Sequence, residues 1–258
     1  MRLDLIDNFI FDFDHTLIDT DRAFAAYSQA LLEQLQIHLG LPYAEIEVAM
    51  AETENRLESR FFAYRLDLLA GSVGSKLAQI LSDTDRHNIG LIVNAAYHAC
   101  LWPSQSILSM LEDSLNAGKN LFIFTGGSPA HTVDKLRGSE LRRYFKCVFT
   151  GDLHPFEDGM DSGLIDLADF DDKVNDWAPL ISLGPNPKSD ERGYLALLER
   201  ANIKAERSLM IGDNLKHDVK SAQAAGLYTA QATWWHHDVL AGVTPNMVLE
   251  RPGSLVIH

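Results

Sequence analysis

Buried-strand patterns recur along the chain in five short runs: Phe9 to Phe13, Asn120 to Phe124, Cys147 to Thr150, Ser208 to Ile211 and Tyr228 to Ala232. Between the later runs the apolar positions take helical spacing, in Thr132 to Leu136, Arg192 to Ala201 and Lys216 to Ala225. Strands alternating with helices predict an α/β fold, a Rossmann-like parallel sheet with right-handed crossovers. Gly226, directly after an Ala-rich helical run, predicts a helix C-cap that turns the chain into the next strand.

The first two strands are separated by about 100 residues that read as helices, for example Ala23 to Leu35, Tyr43 to Phe62 and Asp85 to Tyr97. This predicts a helical insert over residues 20–118, attached by two hinges to a core made of residues 1–19 and 119–258. Pro103 is expected to mark the return to the core, and Gly71-Ser72-Val73-Gly74-Ser75 a turn between two helices of the insert. A second irregular stretch, Asp152 to Pro187, carries Asp158, Asp161, Asp166, Asp169, Asp171, Asp172 and Asp176. It lacks the ligand spacing and turn glycine of a calcium loop and reads as a solvated loop or small hairpin.

Composition narrows the classes of partner. At 258 residues and 46% apolar, the chain can bury a large core without metal or disulfide staples. Cys100 and Cys147 stand in no CxxC or Cys/His pattern and are expected to be buried thiols of a cytoplasmic protein. No apolar stretch has the length of a membrane span, and acids stand near the N-terminus where a signal peptide would carry basic residues. A net charge of -14 argues against a nucleic-acid backbone as partner. An anionic small molecule stays compatible, because one metal ion and one lysine invert the field locally.

The candidate chemistry sits where apolar runs end. Side chains alternate along a strand, so Asp12 and Asp14 project to one side as the first strand runs out. Ligands of open parallel sheets bind at such carboxyl ends. An Asp-x-Asp pair alone also arises where a strand simply exits into solvent, but three further elements follow. Leu121-Phe122-Ile123-Phe124 ends in Thr125-Gly126-Gly127, offering a hydroxyl and unhindered N–H groups to an anion. Lys188 is a single cation in Gly184-Pro185-Asn186-Pro187-Lys188, ahead of a helix. Ser208 to Ile211 runs into Gly212-Asp213-Asn214, with Asp218 beyond.

These four elements, in this order, resemble the haloacid dehalogenase-like (HAD) superfamily of hydrolases, and among them its phosphoglycolate phosphatase-like members. The insert resembles the C1-type helical cap of that superfamily. The resemblance implies a Mg²⁺-dependent phosphatase acting on a small phosphorylated metabolite, with no nucleic-acid or membrane partner. It implies Asp12 as the nucleophile that forms an aspartyl-phosphate, and Asp14 as the acid that protonates the leaving oxygen and then activates water. Thr125, Gly126 and nearby N–H groups would bind the phosphoryl oxygens, and Lys188 would neutralise them. Asp12, the main-chain carbonyl of Asp14 and Asp213 would hold Mg²⁺, with Asp218 and Asn214 standing behind, Asp218 orienting Lys188 or a metal-bound water. The cap would exclude bulk water and select the substrate.

Some positions depart from the superfamily pattern. His15 replaces the usual glycine or asparagine after the second acid and reads first as a local structural histidine, with crowding of the entrance or contact with the leaving group as the other reading. Ser189 follows the lysine where proline is usual. Trp234-Trp235-His236-His237-Asp238 reads as packing and loop surface, because neighbours on an extended chain point opposite ways. Arg56, Arg60 and Arg65 of the insert could meet an anion but equally decorate a helix surface. A phosphomutase of the same fold and a non-catalytic binder of phosphorylated ligands are the alternatives. A dehalogenase would lack the acid at Asp14, and a phosphonatase would need a Schiff-base lysine, for which Lys76 is the insert's candidate ahead of Lys119.

Overall fold

In a computed structural model of the protein, residues 2–57, 66, 69, 71–152 and 179–255 are described. Their strands are β1 (Asn8–Phe11), β2 (Asn120–Phe124), β3 (Cys147–Thr150), β4 (Leu180–Ser182), β5 (Ser208–Gly212), β6 (Tyr228–Ala232) and β7 (Met247–Leu249). All pair in parallel, in the order β4-β3-β2-β1-β5-β6-β7. The central strand β1 is buried along its whole length, as its unbroken apolar run requires. It ends at Phe11 rather than Phe13, because the Phe13 carbonyl accepts the N–H groups of Leu17 and Ile18 and turns the chain.

On the core side lie α5 (Gln105–Asn116), α6 (Pro129–Ser139), α7 (Glu191–Ala201) and the short α8 (Ser221–Ala224), which a π turn over Leu215–Lys220 precedes. The run expected as one helix from Lys216 is therefore wider at its start. One cluster packs Ile10, Phe124, Phe149, Met210, Tyr194 and Leu197 between sheet and helix, with the Phe124 and Tyr194 rings edge to face at 4.9 Å. Gly226 has a φ of 88°, the left-handed conformation expected of a glycine C-cap.

The insert contains α1 (Thr20–Leu39), α2 (Tyr43–Leu57), α3 (Gly71–Ile80) and α4 (Asp83–Ala99). Tyr27 of α1 meets Tyr97 of α4 edge to face at 6.3 Å, and Ser82 closes a capping box with Asp85 at the start of α4. Gly71 to Ser75 opens α3 instead of forming a turn between helices. Gly71 supplies a φ of 64° at the first position, and at Gly74 a Cβ would run into the Leu69 carbonyl.

By contacts the chain divides into two compact units, residues 2–19, 102–152 and 179–255 in one and residues 20–101 in the other. The far boundary expected at Gly118 thus stands at Leu101, beside Pro103, because α5 packs on β2 and belongs to the sheet unit. The second irregular stretch also differs from expectation. Leu180 to Ser182 is neither loop nor hairpin but a parallel strand on β3. The seven aspartates expected in that loop, together with Arg60 and Arg65, lie outside the described residues. Cys100 and Cys147 are free, and burial pushes the Cys147 thiol up to about 11. Among the described residues no helix is long and apolar enough to cross a membrane.

Candidate active site

Parallel register brings the predicted residues together. Phe11 pairs with Ile123 on one side and Ile211 on the other, and the Asp12 N–H donates to the Ile211 carbonyl at 2.8 Å. Asp12 therefore lies beside the ends of both neighbouring strands, from which Thr125 and Asp213 follow. Thr125 is buried, donates its N–H to the Phe149 carbonyl at 3.0 Å, and accepts the Gly127 N–H on its hydroxyl at 3.1 Å. Gly126 is exposed at this strand end.

Lys188 is buried and its ammonium bridges two acids: it donates to Asp12 Oδ1 at 2.6 Å and is ion-paired with Asp218 Oδ1. The other Asp218 oxygen accepts the Asn214 N–H at 3.0 Å. Asp218 thus contacts both the lysine and the turn after β5. Asn214 caps the π turn, accepting the N–H groups of Lys216 and His217. Two glycines make this closeness possible. A Cβ on Gly212 would run into the Asp218 carboxylate, and one on Gly193 into the Pro187 carbonyl beneath the Lys188 loop.

One carboxylate oxygen each from Asp12, Asp213 and Asp218 lies within 4.8 Å of the others. With one lysine among three acids, the cluster carries excess negative charge. Burial raises the Asp12 carboxyl to about 7, with the charges of Asp218 and Asp14 adding to the rise and Lys188 opposing it. Burial and the Asp12 charge likewise raise Asp213. Burial alone would lower Lys188, but Asp12 and Asp218 outweigh it and hold the ammonium charged. An all-oxygen donor set short of positive charge fits a hard divalent cation. Asp12, Asp213 and Asp218 each offer an oxygen to such a cation.

Two residue groups were not expected here. His236, read from sequence as loop surface, places Nδ1 3.2 Å from Asp213 Oδ2, and its ring lies 5.7 Å from that of His15. His15 reaches this position through a left-handed backbone, φ 54°, at the site where glycine or asparagine is usual. Trp234 donates its indole N–H to the Thr16 carbonyl at 3.1 Å, tying this loop to the turn after β1. The second group is Lys135 of α6, which donates to Asp14 Oδ1 at 2.6 Å and Oδ2 at 2.8 Å. Its signal in the sequence was a cation on a buried stripe: Thr132, Lys135, Leu136 and Ser139 all face inward on α6. Lys76 is exposed and Lys119 donates to the Leu3 and Ile6 carbonyls, so Lys119 serves the opposite edge of the sheet.

Comparison with known proteins agrees with the fold. The sequence pattern of the haloacid dehalogenase-like hydrolases matches residues 6–226. A phosphoglycolate phosphatase of Vibrio cholerae is 35% identical over 74 residues, a stretch that covers 28% of this chain and 32% of that protein. Among solved structures, the HAD-hydrolase YfnB from Bacillus subtilis, bound to magnesium, is 19% identical with a TM-score of 0.58, covering 99% of this chain and 97% of its own. A HAD phosphatase from Thermococcus onnurineus is 19% identical with a TM-score of 0.58, covering 97% of this chain and 96% of its own. A 2-haloacid dehalogenase from Pseudomonas syringae is 20% identical with a TM-score of 0.59, covering 97% of this chain and 96% of its own. One fold thus carries more than one reaction, and the side chains at the strand ends must distinguish them.

Proposed function

The chain belongs to the haloacid dehalogenase-like hydrolases, and from that premise we propose that it is a metal-dependent phosphatase of small phosphomonoesters. The observation that carries this reading is the pairing of two acids with two lysines at the end of β1: Asp12 with Lys188, and Asp14 with Lys135. A dehalogenase reading leaves Asp14 without a task, whereas phosphoryl transfer needs both a nucleophile and a proton carrier.

In the proposed reaction an Asp12 oxygen attacks phosphorus, the ester P–O bond breaks, and the leaving oxygen takes a proton from Asp14. Asp14, now a carboxylate, accepts a proton from the water that attacks the aspartyl-phosphate. The Asp12–phosphorus bond then breaks and releases phosphate. Thr125 and the N–H groups around Gly126 bind the phosphoryl oxygens, and Lys188 offsets the repulsion between Asp12 and the phosphate dianion. Asp12, Asp213 and the main-chain carbonyl of Asp14 would hold Mg²⁺, which when bound supplies further neutralisation of the phosphoryl oxygens. The insert is assigned the choice of leaving group.

The test is phosphate release from a panel of phosphorylated metabolites with Mg²⁺, with EDTA and Asp12→Asn as controls. Metal-dependent release, reduced at least about 10³-fold in the folded variant, is expected. Undiminished release by Asp12→Asn would refute the reading. Transfer to a second hydroxyl without free phosphate would turn it into a phosphomutase.

A further inference from the structure

Among the described residues three lysines of the sheet unit are buried, and they are satisfied in two ways. Lys119 donates to two backbone carbonyls, Leu3 at 3.1 Å and Ile6 at 2.6 Å, and closes an edge of the fold. Lys188 and Lys135 instead spend their hydrogen bonds on the acids that follow β1. Burying an ammonium is costly, so a lysine that only fills space would be replaced by an apolar residue at little loss. Lys135 lies 5.9 Å from the Phe13 ring centre on the inward stripe of α6, where a leucine or methionine would pack. Among the described residues its ammonium donates to both oxygens of Asp14.

The two partners differ in exposure. The Lys135 side chain is 8% exposed and that of Asp14 29%, so a fixed ammonium stands behind a carboxylate that opens towards solvent. Lys135 rides on an eleven-residue helix whose first turn Ser128 caps, directly after the Thr125-Gly126-Gly127 turn. The helix that leaves the anion-binding turn therefore also carries the group that aims the proton carrier. Asp14 itself sits in a loop held by the Phe13 carbonyl and a bridge to Ile18, and Lys135 donates to both of its carboxyl oxygens.

Resting on the phosphatase reading above, we propose that Lys135 is a positioning residue for Asp14. Its ammonium keeps one carboxyl oxygen throughout the cycle while the other turns to the leaving oxygen, delivers its proton there, and later takes a proton from water. No other group is consumed, and the lysine keeps its own proton.

Leaving-group dependence tests this. The value of kcat/KM covers the steps through departure of the alcohol. Alkyl phosphates need that alcohol protonated, whereas p-nitrophenyl phosphate releases a stable anion and does not. Lys135→Met should lower kcat/KM for the best alkyl substrate about 10²-fold while changing it less than about threefold for p-nitrophenyl phosphate, with KM nearly unchanged. Lys135→Arg should restore most of the alkyl rate. Equal losses on both esters, or none on either, would overturn the proposal while leaving the phosphatase intact. Absence of release from either ester by the unmodified protein would defeat the phosphatase reading and this proposal with it. Should Lys135→Met fail to fold by circular dichroism, the same ratio is read from Lys135→Gln, with the same outcomes deciding.

Discussion

The two edges of the sheet solve opposite problems. At the amino edge, where β1, β2 and β5 begin, Asn120 donates to Asn8, Asn8 to Ser208, and Ser208 to the Lys204 carbonyl, while Lys119 takes two further carbonyls. Donors and acceptors satisfy one another there, and the charges of Asp7 and Arg207 pair. At the carboxyl edge the same three strands end in Asp12, Thr125 and Asp213, and the acids outnumber the lysine among them. The first arrangement is finished by folding alone. The second keeps an excess of negative charge, which on the proposed reading a cation offsets.

Exchanging single residues between these edges gives the sharpest contrast. Lys188→Met leaves Asp12 and Asp218 buried without their cation, and should cost about 3–5 kcal/mol in urea unfolding together with all measurable turnover. Lys119→Met loses hydrogen bonds to neutral carbonyls and should cost only about 1–3 kcal/mol, with turnover kept. Equal losses from the two would erase the distinction.

A smaller perturbation reaches the same edge through the backbone. Gly212→Ala pushes Asp218 aside, and with it Lys188, so kcat should fall about 10²-fold while β5 still pairs. Unchanged kcat would mean that Asp218 does not aim the lysine. His236→Ala removes only the ring beside Asp213 and should weaken Mg²⁺ binding about tenfold, measured by titration calorimetry.

The last contrast concerns protons. Asp12 has its carboxyl raised from 3.8 to about 7, so between these values the folded protein holds a proton that the unfolded chain has released. The contribution of this group to stability therefore falls as pH rises from about 4 to about 7. A divalent cation needs the ionised form, so the rise in melting temperature on adding Mg²⁺ should be larger at pH 8 than at pH 5.5. A gain independent of pH would place the cation away from Asp12.

Much of this was legible because the sheet is doubly covered. Buried strands such as β1, β2, β3 and β5 are mostly apolar, and acids after β1 and β5 stand out. The edge strand β4 was not legible, since its Leu180 and Ile181 are only half buried and three residues make no pattern. Gly71 to Ser75 misled because glycine marks turns and helix starts alike, and only the Leu69 contact at Gly74 decides between them. Asp12, Thr125, Lys188 and Asp213 could be named from strand ends and loop position. Lys135 and His236 could not, because each acts on a residue more than 20 positions away, and only the folded chain shows that pairing.

The central place of β1 also matters while the protein is being made. Its Asn8 must wait for a partner 112 residues later in β2 and another 200 residues later in β5. Contacts of such separation are slow to close, so Asn8 to Phe11 emerges from the ribosome as a sticky, unpaired segment long before its neighbours exist. The helices that follow it contact one another locally and can form during that interval. The segment that supplies the reactive aspartate is thus the one most in need of shelter during synthesis, and expression yield should respond more to chaperone supply than to changes in the insert.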